Sequence, residues 1–207
     1  MTTTTLPRVY ITLMVVLFSF PLLNGCKEEP LLQITQPGIL EVRMKTITTT
    51  YAPPSDTTRH AFGGNVNSLF AIRGDDTRME VFADVRATDR SFFQIDLLAP
   101  RAWDSSMIIG QSYTPPGTYK QLDMSFSPLP FFSFYNGIQN VPVSVYDARA
   151  EGQTVISLKK NIPVEEGRTT IVTVTADLDS SLSRSIVQGF DILRFHPKFR
   201  ISSVKIQ

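Results

Sequence analysis

Two aspartates near the end of a predicted strand are the acidic residues most suited to act as a pair. Asp177 and Asp179 are separated by Leu178. Alternate residues of a strand project to the same side, so the two carboxylates would be able to share a calcium ion with loop oxygens. The alternative is that they accept backbone N–H hydrogen bonds and cap the turn at Ser180 and Ser181. Capping is the preferred prediction, because calcium needs about six to eight oxygen ligands.

Other residues that commonly carry chemistry are few and scattered. Asp75 and Asp76 follow Gly74 and are expected to belong to a turn. The two histidines, His60 and His196, have no partner at a spacing typical of metal ligands. A serine, a histidine and an aspartate can meet in a folded chain, but the sequence has no G-x-S-x-G turn that would expose a nucleophilic serine. We therefore predict a protein that is not an enzyme and that has no cofactor and no metal.

Aromatic residues are concentrated in SPLPFFSFYNG, residues 127–137, between prolines and an Asn-Gly turn. As a loop, this stretch would present Phe131, Phe132 and Tyr135 to a sugar ring or a protein partner, and Trp103 is a further candidate. The preferred alternative is that the phenylalanines close the open end of a β-sandwich. The leading prediction for function is a non-catalytic module that binds a glycan or a protein partner, or that is an accessory part of an envelope assembly. An enzyme that acts on extracellular polysaccharide is the alternative.

The only cysteine of the chain, Cys26, follows its one strongly apolar segment. The apolar run at 9–23 is shorter than the ~20 residues that cross a bilayer, and Pro21 interrupts it. Residues 1–25 are therefore predicted to be a signal peptide. A single cysteine in an exported protein has no partner for an internal disulfide, so Cys26 needs another explanation.

The residues around Cys26 supply that explanation. The sequence Leu23-Asn24-Gly25-Cys26 resembles a bacterial lipobox, and Lys27-Glu28-Glu29 is similar to the surface-export signal of Bacteroidota lipoproteins. The resemblance implies that Cys26 carries acyl chains such as palmitate and becomes the mature N-terminus. It also implies an outer-membrane protein, anchored through its lipid and facing the cell exterior. A solvated, charged start to a linker is the alternative for Lys27, Glu28 and Glu29.

The rest of the chain is balanced in charge. Without residues 1–25 it carries 19 basic and 19 acidic residues, since the only charged residue removed is Arg8. Proteins that bind nucleic acid carry a clustered basic excess, so nucleic acid is not an expected partner. Residues 26–37 are predicted to be a lipidated N-terminus and tether, and residues 38–207 a single domain.

The dominant hydrophobic period beyond the tether is two, which predicts strands with one buried face. Alternation is seen at 40–45, 79–86, 93–97, 122–126, 141–145, 155–158, 170–178 and 199–206. The segments at 79–86 and 93–97 flank turn residues and predict a hairpin. Only SSLSRSIVQ, residues 180–188, favours a short helix. We predict an all-β fold, an antiparallel β-sandwich of transthyretin-like or immunoglobulin-like architecture.

Several motifs of the C-terminal half resemble those of a known group of bacterial lipoprotein domains. They are PPGTY at 115–119, NIPVEEGRTTIVTVTADLDSSL at 161–182 and FHPKFRI at 195–201. In this order they are similar to domain-of-unknown-function family 4382, with Gly38-Ile39-Leu40 as the opening strand. The resemblance covers about residues 38–201 and concerns structural motifs, and it implies no activity.

Overall fold

Strands make up nearly all of the regular structure. A computed structural model describes residues 35–51, 59–81, 93–98, 106–135, 140–147 and 155–207. Within these ranges the elements are β1 (Gly38–Ile47), β2 (Arg59–Arg73), β3 (Arg78–Glu80), β4 (Phe93–Asp96), β5 (Met107–Thr114), β6 (Gly117–Tyr135), β7 (Asn140–Asp147), β8 (Val155–Val164), β9 (Thr169–Asp177), α1 (Leu178–Ser181), β10 (Leu182–Val187), β11 (Phe190–Phe195) and β12 (Phe199–Ile206). The prediction of an all-β fold with at most one short helix is confirmed for the described residues.

The strands form two sheets. The smaller sheet has the order β12-β9-β1-β5. The larger sheet has the order β10-β11-β7-β6-β2-β3, with β8 paired to β6 and β4 paired to β2. Most neighbouring strands are antiparallel, but β1 runs parallel to β9 and β11 runs parallel to β7. Parallel neighbours need long crossover connections, so strands far apart in the sequence become neighbours in these sheets.

The two sheets enclose one hydrophobic core. On β1 the alternating residues Leu40, Val42 and Met44 are fully buried. On β6 the same is true of the alternating residues at 122, 124 and 126. The predicted buried face is therefore confirmed at these two elements, although Glu41 on the opposite face of β1 is also buried, and the sandwich follows from apposition of their apolar faces.

Four phenylalanines link the two sheets inside the core. Phe62, Phe126 and Phe195 belong to the larger sheet, and Phe199 belongs to β12 of the smaller sheet. The ring centroids are 5.4 Å apart for Phe62 and Phe195 and 5.5 Å apart for Phe126 and Phe199. Both pairs have edge-to-face geometry, which adds ~0.5–1.5 kcal/mol per pair to the burial of apolar area. The aromatic cluster therefore adds to the packing of the two sheets against each other.

Strand β2 is the longest element that the periodicity did not predict. Its pairing with β6 has register shifts at Phe62/Gly64, Val66/Ser68 and Ile72/Arg73. The shift at Val66/Ser68 changes which residues face the core, since Phe62 and Val66 are buried before it and Leu69 and Ala71 after it, so the apolar positions of β2 do not follow one period of two. Strands β5 and β11 are likewise additions to the predicted set.

The described ends of the predicted hairpin, within 79–86 and 93–97, do not pair with each other, and residues 82–92 lie outside the described residues. Strands β3 and β4 both pair antiparallel with β2, β3 through Phe70 and Glu80 and β4 through Val66 and Phe93. Two strands that are each antiparallel to a third run in the same direction and cannot form a hairpin with each other. The periodicity of a strand carries no information about its partner.

The predicted helix at 180–188 is wrong over most of its length. The single turn α1 ends where the N–H of Leu182 donates to the carbonyl of Leu178. The chain then continues as β10, which pairs with β11 across Gln188 and Gly189, both with positive φ (52° and 82°). Two such residues form the tight turn that suits a hairpin. Hairpin pairing therefore prevails over the weak local preference for helix.

Candidate functional site

A polar pocket opens on the outer face of the larger sheet, over strands β2, β3, β6 and β8. Its volume is about 520 Å³. It is lined by Ile72, Asp76, Arg78, Lys120, Gln121, Asp123 and Lys159. All of these except Ile72 are polar or charged, and the volume lies in the usual range of small-ligand sites.

The strand register brings these residues together in rows across the sheet. One row contains Arg78, Ile72, Gln121 and Lys159. The next row contains Glu80, Phe70, Asp123 and Ser157. Neighbouring strands are ~4.8 Å apart, so the first row spans roughly 14 Å from end to end. The pocket is thus an elongated site built from four strands.

A β-bulge brings two consecutive residues of β6 into the pocket. The pairing of β6 with β2 passes from Tyr119 directly to Gln121 and skips Lys120, and the pairing with β8 is irregular at the same place. Tyr119 and Leu122 are fully buried, whereas Lys120 and Gln121 both line the pocket. Regular alternation would have turned one of these two side chains into the core, so the bulge creates this end of the site.

The turn between β2 and β3 supplies the acidic side of the pocket. Arg73 N donates to Thr77 O at 2.9 Å, and Thr77 N donates to Asp75 Oδ1 at 3.0 Å. The hydrogen bond from the backbone of Thr77 is the main reason why the pKa of Asp75 is lowered. Asp76 has a φ of 67°, a conformation that aspartate tolerates better than most residues. The expectation that Asp75 and Asp76 belong to a turn is confirmed.

The two carboxylates of the pocket have different surroundings. Asp76 Oδ1 lies 2.5 Å from the ammonium nitrogen of Lys120. Asp123 Oδ1 accepts from Gln121 Nε2 at 2.6 Å and from Ser157 Oγ at 2.8 Å. Among the described residues no donor reaches Asp123 Oδ2. Asp123 is therefore held in place through one oxygen, and the other oxygen is available to a ligand.

Two cations of the pocket have no acidic partner within the part of the chain that the structure describes. They are Arg78 and Lys159. The guanidinium carbon of Arg78 lies 4.5 Å from the ring centroid of Phe70, on the sheet face beside it. Stacking on an aromatic ring restricts the guanidinium while leaving its N–H groups free to donate. The pocket therefore contains an oriented donor group that the described part of the protein does not use.

Asp177 caps the short helix, as the capping prediction requires. Its Oδ1 accepts from the backbone N–H of Ser180 at 3.0 Å, and its Oδ2 accepts from the hydroxyl of Ser180 at 2.9 Å. Asp177 is the N-cap residue of α1. Both carboxylate oxygens are therefore occupied by protein donors.

Asp179 has a role that the sequence did not indicate. Its Oδ1 accepts from Thr48 Oγ1 at 2.6 Å and from Thr50 N at 3.1 Å. Its Oδ2 accepts from the backbone N and Oγ1 of Thr49 at 2.6 and 2.8 Å. Partial burial opposes ionisation, but these hydrogen bonds outweigh it and lower the pKa of Asp179 well below its usual range. Asp179 therefore fastens the segment after β1 to the start of α1.

The predicted aromatic loop at 127–137 is a strand up to Tyr135. Phe131 pairs with Ser144 and Phe132 pairs with Val143 of β7. Consecutive positions of a strand belong to opposite faces of the sheet, so this segment is not a loop that presents all its residues together. Strands β2 and β7 flank this half of β6 and pair with its backbone, which explains the extended conformation. The side chains of Phe131, Phe132 and Tyr135 lie outside the described part.

The remaining predicted site residues are not brought together in the described structure. Cys26, the export signal at 27–29 and Trp103 lie outside the described residues. His60 belongs to β2, and His196 is exposed after β11. Across the described ranges no group of three or more His, Cys, Asp or Glu residues is placed to hold a metal ion.

The sequence did not reveal the pocket, although it contained one of its parts. The Asp75-Asp76 turn was visible, whereas Lys120, Asp123 and Lys159 had the appearance of residues on wet strand faces. Only the pairing of four strands makes them neighbours. The one local signal of the site is that two consecutive polar residues, Lys120 and Gln121, interrupt the alternation of apolar and polar residues along this strand.

Comparison of the chain with family models, curated proteins and solved structures found no match. The resemblance to domain-of-unknown-function family 4382 and to surface lipoproteins stays a prediction. No helix among the described residues is long and apolar enough to span a membrane.

Proposed function

We propose that this chain is a lipid-anchored, non-catalytic surface module that binds a saccharide in the pocket on its larger sheet. The observation that carries the proposal is the pocket itself, with Asp123 and Gln121 at its centre and cations at both ends. Saccharides present many hydroxyl groups. Carboxylates, amides and cations that a protein holds in fixed positions bind these hydroxyls through hydrogen bonds. The oriented Asp123 supplies such a group.

The character of the pocket favours a small polar ligand over a protein partner. Protein interfaces bury about 800 Å² on each side, and aromatic residues are enriched in their centres while charged residues are depleted. Six of the seven lining residues here are polar or charged, and they surround a volume of about 520 Å³. A site of this size and composition suits a short oligosaccharide better than a protein partner.

The carboxylates of the pocket favour binding over glycoside cleavage. A glycosidase places two carboxyl groups on opposite sides of the scissile bond, one of them an acid and the other a base or nucleophile. In the pocket, Asp76 is paired with the Lys120 ammonium, and Asp123 accepts from two neutral side chains. Asp76 would have to leave its ion pair in order to transfer a proton, so Asp123 has no unpaired second carboxyl group among the lining residues to act with it.

The predicted N-terminus gives the proposed location. Acylation of Cys26 would attach the chain to the outer membrane through several acyl chains, and at least two are needed for a stable anchor. Lys27, Glu28 and Glu29 would direct it to the exterior, where soluble oligosaccharides are accessible. Residues 30–37 would then separate the domain from the lipid.

The binding proposal is tested with the full chain in detergent, immobilised and exposed to a panel of neutral and acidic oligosaccharides. We expect at least one saccharide to bind, and Asp123→Ala to weaken that binding by about tenfold. Glu165→Ala is the matched control, since Glu165 is an exposed carboxylate in the turn between β8 and β9. The proposal is contradicted if both variants lose the same amount of saccharide affinity, or if the parent protein binds no saccharide of the panel.

A further inference from the structure

We infer that the ligand of the pocket is a saccharide that carries an anionic group, either a carboxylate or a sulfate ester. This inference rests on the proposed function and specifies the ligand of the same site. It follows from the charges of the lining residues, the geometry of Arg78 and the free oxygen of Asp123.

The charge balance of the pocket leaves cations without partners. Its lining contains three cations, Arg78, Lys120 and Lys159, and two carboxylates, Asp76 and Asp123. Lys120 and Asp76 form an ion pair at 2.5 Å and offset each other. Two cations and one carboxylate remain, so the unpaired charge that a ligand meets in the pocket is positive. An anionic group on the ligand would complete this balance.

Arg78 is arranged to recognise an anion with two oxygens. Its guanidinium is held 4.5 Å from the Phe70 centroid, and the described residues provide no carboxylate within ion-pair distance of it. A planar guanidinium binds a carboxylate or a sulfate through parallel N–H donors, and prior restriction of its side chain lowers the cost of ordering on binding. Glu80, on the same strand, does not form this pair, so the N–H groups remain available to a ligand.

Lys159 is the second cation, at the opposite end of the same row. The register places it roughly 14 Å from Arg78, with Ile72 and Gln121 between them. Between the cations, Asp123 Oδ2 can accept hydrogen bonds from sugar hydroxyls. The arrangement therefore fits a short oligosaccharide with an acidic group at each end or on each residue, rather than an isolated small anion.

The test uses the full chain in detergent and three probes of similar size. They are a short oligogalacturonate, the same oligosaccharide with its carboxyl groups methyl-esterified, and a sulfated oligosaccharide. We expect one or both anionic probes to bind about tenfold or more tightly than the neutral ester at low salt, with affinity falling as salt is added. The two anionic probes distinguish a carboxylate from a sulfate as the recognised group.

Variants at neighbouring lysines provide the matched comparison. Lys159→Gln should weaken binding of the preferred anionic probe by about tenfold, whereas Lys160→Gln, with the same loss of charge outside the pocket lining, should change it by less than about twofold. Arg78→Lys, which keeps the charge but loses the planar donor group, should weaken binding more than Lys160→Gln does. Thermal melting of each variant verifies that it is folded.

The outcomes separate this inference from the proposed function. If the methyl ester binds as tightly as the acid and the sulfated probe binds no better, the anionic inference is wrong while saccharide binding stands. The inference is also wrong if Lys159→Gln and Lys160→Gln have equal effects. If no saccharide binds, both proposals fall.

Discussion

The ammonium of Lys120 lies 2.5 Å from a carboxylate oxygen of Asp76, and this ion pair joins a bulge of β6 to the turn between β2 and β3. The Lys120 and Asp76 side chains are 47% and 81% exposed, so the pair contributes little to stability, about 0–1 kcal/mol. Its main consequence is positional, because it fixes one end of the pocket and removes one cation from its charge balance.

Asp76→Asn should therefore raise the affinity for an anionic saccharide, because it frees the Lys120 ammonium. Asparagine tolerates the positive φ of this position, so the free energy of unfolding should change by less than about 1 kcal/mol. Binding to oligogalacturonate measured in low and high salt tests this, with the gain expected to shrink as salt screens the charge. A weaker interaction in the variant would show that Asp76 contacts the ligand itself.

Asp179 should make stability sensitive to acid. Its pKa is lowered in the folded protein, so its contribution is fully present above the unfolded-state value of about 3.9 and is lost as the pH falls below it. Asp179→Asn should be less stable than the parent at neutral pH, and the difference should shrink between about pH 5 and pH 2. Denaturant unfolding across this pH range measures it. A difference that is independent of pH would mean that the carboxylate charge is unimportant.

Calcium should not stabilise the protein through Asp177 and Asp179. All four carboxylate oxygens accept hydrogen bonds from protein donors, so calcium would have to displace them before binding. A ligand raises stability only when it binds the folded state preferentially. Melting temperatures with millimolar calcium and with a chelator should agree. An increase with calcium that disappears in Asp177→Asn would favour the metal-site alternative.

Gly64 should be intolerant of a side chain. A Cβ atom at this position would lie 2.1 Å from a ring carbon of Phe126, which is fully buried. Gly64→Ala is therefore expected to lower the free energy of unfolding by about 1–3 kcal/mol through overpacking. Gly74→Ala is the control, because a Cβ there meets no atom within 4 Å. Equal stability of the two variants in denaturant unfolding would disprove the close packing of β2 on β6.

The lipid anchor and the export signal should be separable. Cys26→Ala should abolish incorporation of labelled fatty acid and release the chain from the membrane fraction, since the apolar run at 9–23 is too short to span stably. Alanine at Lys27, Glu28 and Glu29 should preserve acylation but protect the domain from protease added to whole cells. A Cys26→Ala protein that is still acylated, or a triple variant digested like the parent, would refute the corresponding assignment.

Local patterns were sufficient to predict the fold class. The alternation of Leu40, Val42 and Met44 with charged residues determines which face of β1 is buried, because successive side chains of a strand point to opposite faces. The turn at Asp75 and Asp76 and the cap at Asp177 were also predicted, since each depends on hydrogen bonds to backbone groups within a few residues.

The partners of the strands were decided only by the tertiary structure. Strand β2 could not be recognised, because its bulges disturb the alternation and Gly64 makes room for Phe126 of another strand. Residues 182–187 form a strand because β11 pairs with them, against a local preference for helix.

The pocket likewise depends in part on the local sequence and in part on the tertiary structure. The sequence determines that Arg78, Lys120, Asp123 and Lys159 are polar positions on strands or next to them. Their convergence depends on β-sheet register between β2, β3, β6 and β8 and on the bulge at Lys120. Register is set by packing against the whole core and by contacts between distant segments, so no local stretch of sequence contains it.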